Sequence, residues 1–295
     1  IGPVVVFGAS NFPFAFSTAG GDTASAIGAG CPVIVKAHPA HPKTSQLMAD
    51  AITAAVKECG WPEGIFSHIT GISHDIGAYL VQHKEIRAVA FTGSFAGGKA
   101  LFDMANHRED PIPVFAEMGS INPVFALPDL LENRAEAFAK EYLSSLTLGV
   151  GQFCTNPGVC IALKGESLDR FIITLKNEIQ TAIPAKMLHR GIYESFEKHK
   201  TFAAEQPEVH IIATADTEIN EGCGRAMVIE TNAKNFMKNP LLSEEVFGPF
   251  GIIVTCETQE EMTEVAKQLK GQLTITVAAT DEDARNHLML INLLK

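Results

Sequence analysis

Short apolar segments alternate with longer helical patterns along this chain, and this alternation constrains its fold more than any other feature. Val4–Phe7, Val33–Val35 and Arg87–Phe91 are rich in Val, Ile or Phe, as strands buried on both faces of a parallel sheet are. Between the last two segments, apolar pairs recur every four residues over positions 47–56, which predicts a helix with one apolar face. The alternation therefore predicts an α/β fold built on a doubly wound sheet.

The same alternation continues less regularly from about Gly119 onward. The helical patterns cover Glu132–Leu148, Ser167–Ala182, Thr258–Leu269 and Asp281–Lys295. The strand patterns cover Pro123–Ala126, Val159–Leu163, Val209–Ala213, Gly251–Thr255 and Thr274–Ala278. Because no Gly/Ser linker interrupts the chain, we expect two packed domains, one over residues 1–117 and one over residues 118–295.

Composition and charge exclude two classes of partner. The chain has 295 residues, of which 46% are apolar and 19% charged, an ordinary globular balance. No apolar run approaches the roughly 20 residues of a membrane helix, so we expect no membrane association. The net charge is −11 and no basic stretch is concentrated enough to follow a phosphate backbone, which argues against a nucleic-acid partner.

The six cysteines are scattered, without a CxxC pair or the spacing of a zinc site, so we expect no metal and a reducing, cytoplasmic compartment. Cys31, Cys59 and Cys256 are expected to be buried, and Cys160 to pack in the core of an apolar run. No signal peptide precedes the first apolar segment, and the chain starts without Met. We expect a piece of a longer protein.

The segment Phe91–Ala100 follows a predicted strand and begins a helix, so its backbone N–H groups and the helix dipole favour phosphate oxygens. Its pattern is GxxxxGK, as in a P-loop, but Ala100 stands where a hydroxyl would bind magnesium. A nucleotide-binding turn, a P-loop-like nucleotide hydrolase and a plain strand-to-helix turn all fit this segment.

Cys154 lies in the Gly-rich segment Gly149–Asn156, after a predicted helix. A thiol in such a loop is accessible enough to act as a nucleophile, whereas a thiol on an apolar face is not. A packing or surface thiol is the alternative, and a thiol hydrolase would need a histidine base, for which no motif is present.

Two polar residues come at the ends of predicted strands. Glu117 ends the apolar run Val114–Ala116, where burial would raise its pKa and suit it to general-base work; a solvated strand end is the alternative. Asn11 leaves the first strand at its carboxyl end, where its amide could donate to an oxyanion; an Asx turn before Pro13 is the alternative.

In their order along the chain, these segments resemble the motifs of the aldehyde dehydrogenase superfamily, and the resemblance runs from Gly2 to about Thr280. The motifs are Asn11-Phe12-Pro13, Pro32–Lys36, Phe91–Gly98, Glu117-Met118-Gly119, Gly151–Cys154 and Glu244–Pro249. The resemblance implies a Rossmann-type cofactor domain followed by an α/β catalytic domain.

The local sequences of three of these motifs narrow the resemblance to one branch of the superfamily. They are Gly8–Pro13, Lys36–Pro42 and Gly151–Pro157. They are similar to the NADP-dependent branch that includes α-ketoglutarate semialdehyde (2,5-dioxovalerate) dehydrogenases and the fatty aldehyde dehydrogenase of luminous bacteria. Family members are longer at both ends, and the full-length form is expected to be a homodimer or homotetramer.

The resemblance implies roles around the reacting aldehyde. Cys154 would be the nucleophile, forming a thiohemiacetal and then a thioester, and Asn11 with the Cys154 N–H would hold the oxyanion. Glu117 would activate the water that releases a carboxylic acid. Glu245 would hold the nicotinamide ribose and Phe247 would pack against the nicotinamide. From its residues alone, the acidic segment Ser243–Pro249 also fits a solvated turn.

At the other end of the dinucleotide, Lys36 would bind the adenosine ribose. Gly93 and Ser94 would contact the pyrophosphate, and Gly98 would allow its close approach. The substrate implied is α-ketoglutarate semialdehyde or a related aldehyde. The alternatives are the P-loop-like hydrolase, the thiol hydrolase and a cofactor-binding fragment without turnover.

The cofactor expected is NADP, with NAD possible. Members that prefer NAD commonly carry a Glu three residues after the lysine, where it binds both ribose hydroxyls, and Pro39 occupies that position here. Without this carboxylate nothing repels a 2′-phosphate, and Lys36, with His38 or His74, could attract it. Close NADP-dependent relatives carry a hydroxyl and an arginine at the positions of Pro39 and His74, and this chain departs from them at both.

Overall fold

The structure, a computed structural model, describes residues 2–216 and 220–295. The chain divides into two compact units, Ile1–Gly119 and Ser120–Lys295. This division falls two residues after the boundary expected from the sequence, which lay between residues 117 and 118.

The first unit contains one five-stranded parallel sheet. Its strands are β1 (Val4–Phe7), β2 (Val33–Lys36), β3 (Phe66–Ile69), β4 (Ala88–Thr92) and β5 (Val114–Glu117). They lie in the order β3-β2-β1-β4-β5. Its helices are α1 (Gly21–Gly28), α2 (Pro42–Glu58), α3 (His74–Gln82) and α4 (Phe95–Asn106). Each of the first four strands is followed by a helix.

Alternate residues of each strand in this unit point to opposite faces, and both faces are covered. Val4 and Val6 lie in an apolar cluster with Ala49 and Val56 of α2. Val5, between them, lies in a second cluster to which α3 and α4 contribute. Helices on both faces of a parallel sheet define a doubly wound unit, which confirms the predicted fold class.

The second unit contains a six-stranded sheet in the order β13-β6-β7-β12-β11-β9 and a small antiparallel pair, β10-β8. Its strands are β6 (Val124–Ala126), β7 (Val159–Leu163), β8 (Ala185–Lys186), β9 (His210–Thr214), β10 (Cys223–Gly224), β11 (Met227–Asn232), β12 (Phe250–Cys256) and β13 (Thr276–Ala278). All pairs of the larger sheet are parallel except β11 with β9.

Helices cover both faces of this larger sheet as well. They are α5 (Pro128–Thr147), α6 (Glu166–Thr181), α7 (Arg190–Ala204), α8 (Ala233–Lys238), α9 (Gln259–Gln268), α10 (Asp281–Asn286) and α11 (Leu288–Leu293). Phe171 of α6 packs with α5 in one core cluster, whereas Phe196 of α7 packs with Met262 of α9 in the other.

Three sequence expectations differ from this structure. The helix expected over Asp281–Lys295 is broken at His287, whose backbone leaves helical values; the second piece buries Leu290. Cys59 is exposed rather than buried, because it follows the last residue of α2, at the carboxyl cap. Helix α5 begins at Pro128, four residues earlier than expected, since proline fits the first turn of a helix.

None of the helices within residues 2–216 and 220–295 is long and apolar enough to cross a membrane.

Asp283 joins two helices of the second unit through one buried carboxylate. It is 2% exposed. Its oxygens accept hydrogen bonds from the N–H groups of Asp129 (3.0 Å), Leu130 (2.8 Å) and Thr280 (3.2 Å). The carboxylate thus satisfies the first turn of α5 and completes the capping box that begins α10.

We predict that Asp283→Ala lowers the free energy of unfolding by roughly 2–4 kcal/mol, because it leaves buried N–H donors without an acceptor. Asp281→Ala, an exposed change in the same turn, is the control and should cost well under half of that. Urea unfolding of both variants checks this. An equal loss of unfolding free energy in the two variants would contradict the capping role of Asp283.

Candidate active site

In a parallel sheet the carboxyl ends of all strands lie along one edge, which is where open α/β folds bind ligands. In the first unit, six of the predicted residues lie at or just after these ends: Asn11 after β1, Lys36 in β2, His74 after β3, Gly93 and Ser94 after β4, and Glu117 in β5. The structure therefore brings this half of the predicted site to one edge.

The loop after β1, which carries Asn11, folds back tightly. The Ala9 N–H donates to the Phe16 carbonyl over 2.7 Å. A Cβ at Gly8 would stand 2.7 Å from the Ser17 Cα, so a larger residue does not fit there. Asn11 itself is half-buried in this loop.

The loop after β2 carries the residues expected near the adenosine. Lys36 is half-buried at the end of its strand, and burial lowers the pKa of its ammonium group. The His38 ring stacks on His41, with centroids 5.5 Å apart. The His41 Nε2–H donates to the Ala9 carbonyl over 3.0 Å, which ties this loop to the loop after β1. Pro39 is exposed.

The turn between β4 and α4 is held at both of its ends. The Gly93 N–H donates to the Glu117 carbonyl over 3.0 Å. Ser94 is the N-cap of α4, and its Oγ accepts the Gly97 N–H over 3.3 Å. The first N–H groups of this twelve-residue helix follow directly, which is the arrangement that binds phosphate oxygens in other proteins.

Gly98 has a packing role that the sequence did not indicate. A Cβ at this position would stand 2.5 Å from Met118 Cγ and 3.1 Å from Phe91 Cδ1. Its N–H donates to the Ser94 carbonyl over 3.0 Å. A larger residue here would require the Met118 and Phe91 side chains to shift, so glycine allows the close packing seen between α4 and these side chains. The approach of a pyrophosphate to Gly98 stays a prediction.

Glu117 is exposed, so of the two alternatives that the sequence left open for this carboxylate, burial and a solvated strand end, the structure shows the solvated strand end. Strand β5 is an edge strand whose residues alternate in burial, and Glu117 shares the exposed side with Phe115, which is 59% exposed. His74, the first residue of α3, is exposed as well.

A second carboxylate, Asp22, lies in the neighbourhood of Glu117 and was missed by the sequence analysis. Asp22 Oδ2 accepts from the Thr92 hydroxyl over 3.4 Å, and Thr92 pairs in register with Glu117. Burial raises the pKa of Asp22, the Thr92 hydrogen bond lowers it, and the charge of Glu117 raises it further. No motif connects two residues 95 positions apart, so only the sheet register shows this pair.

In the second unit, Cys154 is half-buried in the loop after α5. Three consecutive residues before it have left-handed backbone: Gly149 (φ 56°), Val150 (φ 59°) and Gly151 (φ 64°). This conformation is common for glycine but strained for a β-branched residue such as Val150.

Two other cysteines of this unit, Cys160 and Cys256, are buried, whereas Cys154 is half-buried. Burial raises the pKa of Cys160 to about 12 and that of Cys256 to about 12, so both thiols stay protonated at neutral pH.

The cysteine motif and the acidic motif meet inside this unit. A Cβ at Gly151 would clash with the backbone carbonyl of Gly248. The Asn156 side-chain amide donates to the Gly248 carbonyl over 3.0 Å. Glycine at position 151 therefore allows two segments about 97 residues apart in sequence to touch, which the sequence could not show.

Glu245 and Phe247 line a small cleft in the second unit, together with Phe153 and Asn156 of the cysteine loop. Burial raises the pKa of Glu245 to about 7, although its Oε1 accepts the Ser120 N–H over 3.4 Å. Phe247 is half-buried and packs against the core.

Asn122 is a further residue of this region that the sequence analysis missed. Its Nδ2 donates to the Cys154 carbonyl over 2.8 Å and to the Asn156 carbonyl over 2.9 Å. The sequence signal was an Asn-Pro pair shortly after Glu117, which indicates a turn but not its partners.

Among the described residues, no group of three or more His, Cys, Asp or Glu side chains is arranged to hold a metal ion.

The sequence model of the "Aldehyde dehydrogenase family" matches residues 1–289. The chain belongs to the aldehyde dehydrogenase family, and the resemblance based on its motifs is confirmed.

Two relatives match nearly the whole chain. An "Alpha-ketoglutaric semialdehyde dehydrogenase 2" of Azospirillum brasilense is 48% identical over 283 residues, which cover 96% of this chain and 54% of the relative. An "Alpha-ketoglutaric semialdehyde dehydrogenase" of Acinetobacter baylyi is 40% identical over 295 residues, covering 100% of this chain and 56% of the relative. The chain thus spans about half the length of these relatives.

Solved structures show the same fold at low sequence identity. An NAD-dependent benzaldehyde dehydrogenase of Corynebacterium glutamicum matches with a TM-score of 0.79 and 19% identity, over 99% of this chain and 62% of that one. The glyceraldehyde-3-phosphate dehydrogenase GapN of Methanocaldococcus jannaschii, complexed with NADP, matches with a TM-score of 0.78 and 21% identity, over 99% and 62%.

We predict that the Glu245 carboxyl makes stability fall as the pH rises. Because burial raises its pKa from 4.5 in the unfolded chain to about 7, the folded state holds an extra proton between these values. The contribution is fully present below pH 4.5 and is lost as the pH rises through 7. Urea unfolding from pH 4.5 to 8 should show a smaller decline for Glu245→Gln than for the wild type, whereas identical slopes would contradict the raised pKa.

Proposed function

We propose that the protein to which this chain belongs oxidises an aldehyde to a carboxylic acid with NAD(P)+, using Cys154 as nucleophile. The observation that carries the proposal is family membership, combined with a half-buried Cys154 in a loop whose backbone is held at both of its ends. The substrate proposed is α-ketoglutarate semialdehyde, supported by the two relatives that are 48% and 40% identical.

Cys154 starts the reaction as a thiolate, which is the nucleophilic form of the side chain. The sulfur forms a bond to the aldehyde carbon, and the carbonyl π electrons move to the oxygen, giving a thiohemiacetal. The Asn11 side-chain amide and the Cys154 N–H are the proposed donors to that oxygen. In comparable sites, each such donor stabilises the transition state by about 3–4 kcal/mol.

The residues present fit a nicotinamide dinucleotide by the chemistry of their donors. The N-terminal turn of α4 with Gly93 and Ser94 offers N–H groups to a pyrophosphate. Lys36 offers a cation for the adenosine ribose, and Glu245 offers a carboxylate acceptor for ribose hydroxyls. A bound nicotinamide dinucleotide would supply the hydride acceptor for oxidation of the thiohemiacetal, which leaves a thioester on Cys154.

Glu117 is the proposed general base for release of the product. It takes a proton from water, the water oxygen bonds to the thioester carbon, and the Cys154 sulfur leaves with the electrons of the C–S bond. The product is then a free carboxylic acid. The exposed position of Glu117 at the end of β5 suits a group that meets solvent water.

We propose NADP as the preferred cofactor. Pro39, exposed after β2, places no carboxylate beside Lys36, so a 2′-phosphate meets no fixed negative charge from this position. His38, stacked on His41, and the exposed His74 are the proposed additional contacts of the phosphate.

For the whole protein we propose a homodimer or homotetramer in the cytoplasm. The basis is the likeness to bacterial relatives, which are about twice as long as this chain.

We predict that Glu117→Gln still forms NADPH rapidly in the first turnover but lowers the steady-state rate by about 100-fold or more. The reason is that only thioester hydrolysis needs the base. Stopped-flow absorbance at 340 nm measures both phases. Glu109→Gln, an exposed change in the same unit, is the control. An unchanged steady rate would refute the role of Glu117.

We predict that Pro39→Glu lowers kcat/KM for NADP+ by about tenfold relative to kcat/KM for NAD+, because the new carboxylate repels the 2′-phosphate. Ala40→Glu places the same charge one residue further along and should change the ratio less. Steady-state kinetics with both cofactors checks this. A wild-type preference for NAD+, or an unchanged ratio in Pro39→Glu, would contradict the proposal.

The class of reaction is tested by Cys154→Ala in the full-length protein. We expect α-ketoglutarate semialdehyde to be oxidised in preference to aldehydes without a second carboxylate, and this activity to vanish in Cys154→Ala. Turnover that needs no nicotinamide cofactor would instead indicate a thiol hydrolase.

A further inference from the structure

Asn122 lies at the start of the second unit and holds the loop that contains Cys154. Its side chain is buried, with 3% of the residue exposed. The amide Nδ2 donates to the Cys154 carbonyl over 2.8 Å and to the Asn156 carbonyl over 2.9 Å. Both hydrogens of one amide group are thus used on the two sides of Thr155.

The orientation of this amide is itself fixed. Its Oδ1 accepts from the Ser120 hydroxyl over 2.8 Å and from the Thr274 hydroxyl over 3.1 Å. The Thr274 backbone N–H also donates to Oδ1, over 3.3 Å, and a backbone N–H can only donate. The oxygen of the amide therefore faces donors and its nitrogen faces carbonyls, so the reversed orientation of the group is excluded.

The backbone of Asn122 is held as tightly as its side chain. Its φ is +43°, a left-handed value that asparagine tolerates better than most residues. The Gln272 Oε1 accepts the N–H of Ile121 over 2.9 Å and that of Asn122 over 3.3 Å. Strand β6 begins two residues later, so Asn122 connects the cysteine loop to the sheet.

A fixed Cys154 carbonyl limits the backbone rotation of Cys154 about ψ, and with it the direction in which the Cα–Cβ bond carries the sulfur. The Cys154 N–H, which is the proposed donor to the oxyanion, is attached to the same Cα through the preceding peptide plane. A displacement of 1 Å in such a group costs up to about 100-fold in rate.

We propose that Asn122 is a positioning residue for the nucleophile: its amide sets the orientation of Cys154 by binding the Cys154 and Asn156 carbonyls. This inference rests on the proposed function, in which Cys154 attacks the aldehyde. Asn122 does not touch the substrate; it acts through the backbone of the loop.

Two substitutions at Asn122 separate the effect of the side-chain hydrogen bonds from the effect of the backbone conformation. Asn122→Gly keeps the left-handed φ and removes both hydrogen bonds. Asn122→Asp keeps the shape and the φ but places carboxylate oxygen against two carbonyl oxygens. If only the backbone conformation mattered, the glycine variant would behave as wild type.

Asn235 supplies a matched control in the same unit. Its Nδ2 also donates to two loop carbonyls, those of Pro207 at 2.8 Å and Glu208 at 3.5 Å, and neither belongs to the cysteine loop. Asn235→Asp therefore also removes an amide donor from loop carbonyls, but has no effect on the orientation of Cys154.

The test uses the full-length protein in single turnover, with enzyme in excess over aldehyde and saturating NADP+, and follows NADPH at 340 nm. We expect the rate constant to fall 10- to 100-fold in Asn122→Gly and Asn122→Asp, with the Kd for NADP+ within twofold of wild type. Asn235→Asp should leave both quantities unchanged. A rate constant within twofold of wild type in Asn122→Gly or Asn122→Asp would overturn the proposal.

Thr274→Val keeps the test decisive if the Asn122 variants do not fold. It removes one hydroxyl donor to the Asn122 oxygen, is nearly isosteric, and should lower the single-turnover rate constant about threefold to tenfold at constant Kd. An unchanged rate constant in Thr274→Val would then overturn the proposal.

Cys154→Ala separates this inference from the proposed function. If Cys154→Ala abolishes NADPH formation while the Asn122 and Thr274 variants retain the wild-type rate constant, only the positioning role fails. If Cys154→Ala still oxidises the aldehyde, the proposed function fails and the positioning role fails with it.

Discussion

Parallel strand pairing is the constraint on which the first unit of this protein depends. Because five parallel strands place their carboxyl ends along one edge, residues far apart in sequence, such as Asn11, Lys36 and Glu117, reach that edge through the sheet. The same register sets Thr92 beside Glu117 and so links Glu117 to Asp22. The position of these polar residues at one edge is therefore a consequence of strand pairing. Their proposed roles come from the family membership of the chain.

The second unit positions its chemistry differently, through hydrogen bonds between loops. The loop with Cys154 follows a left-handed turn at Gly149–Gly151, and its carbonyls bind the amide of Asn122. Ser120 takes part in two of the interactions: its hydroxyl donates to Asn122, and its N–H donates to Glu245. The proposed nucleophile and the proposed ribose ligand are therefore supported by the same short segment that precedes β6.

The sequence predicted those features that depend on local periodicity. Strands such as Val4–Phe7 and Val159–Leu163 were predicted at their observed bounds, because runs of β-branched residues are typical of buried strands. Features set by distant partners were not predictable: Asn122 binds carbonyls 32 and 34 residues away, and Gly98 packs closely against the Met118 side chain. The apolar run before Glu117 left both a buried and a solvated position open for this carboxylate; it lies on the exposed side of an edge strand, which only the order of the strands reveals.

Mass spectrometry of the full-length protein, quenched during turnover, tests the central claim most directly. Peptides containing Cys154 from Glu117→Gln, treated with aldehyde and NADP+ together, should gain the mass of the acyl group, and this adduct should be absent when either reagent is omitted. An acyl adduct on another cysteine, or one on Cys154 that forms without a nicotinamide cofactor, would contradict the account.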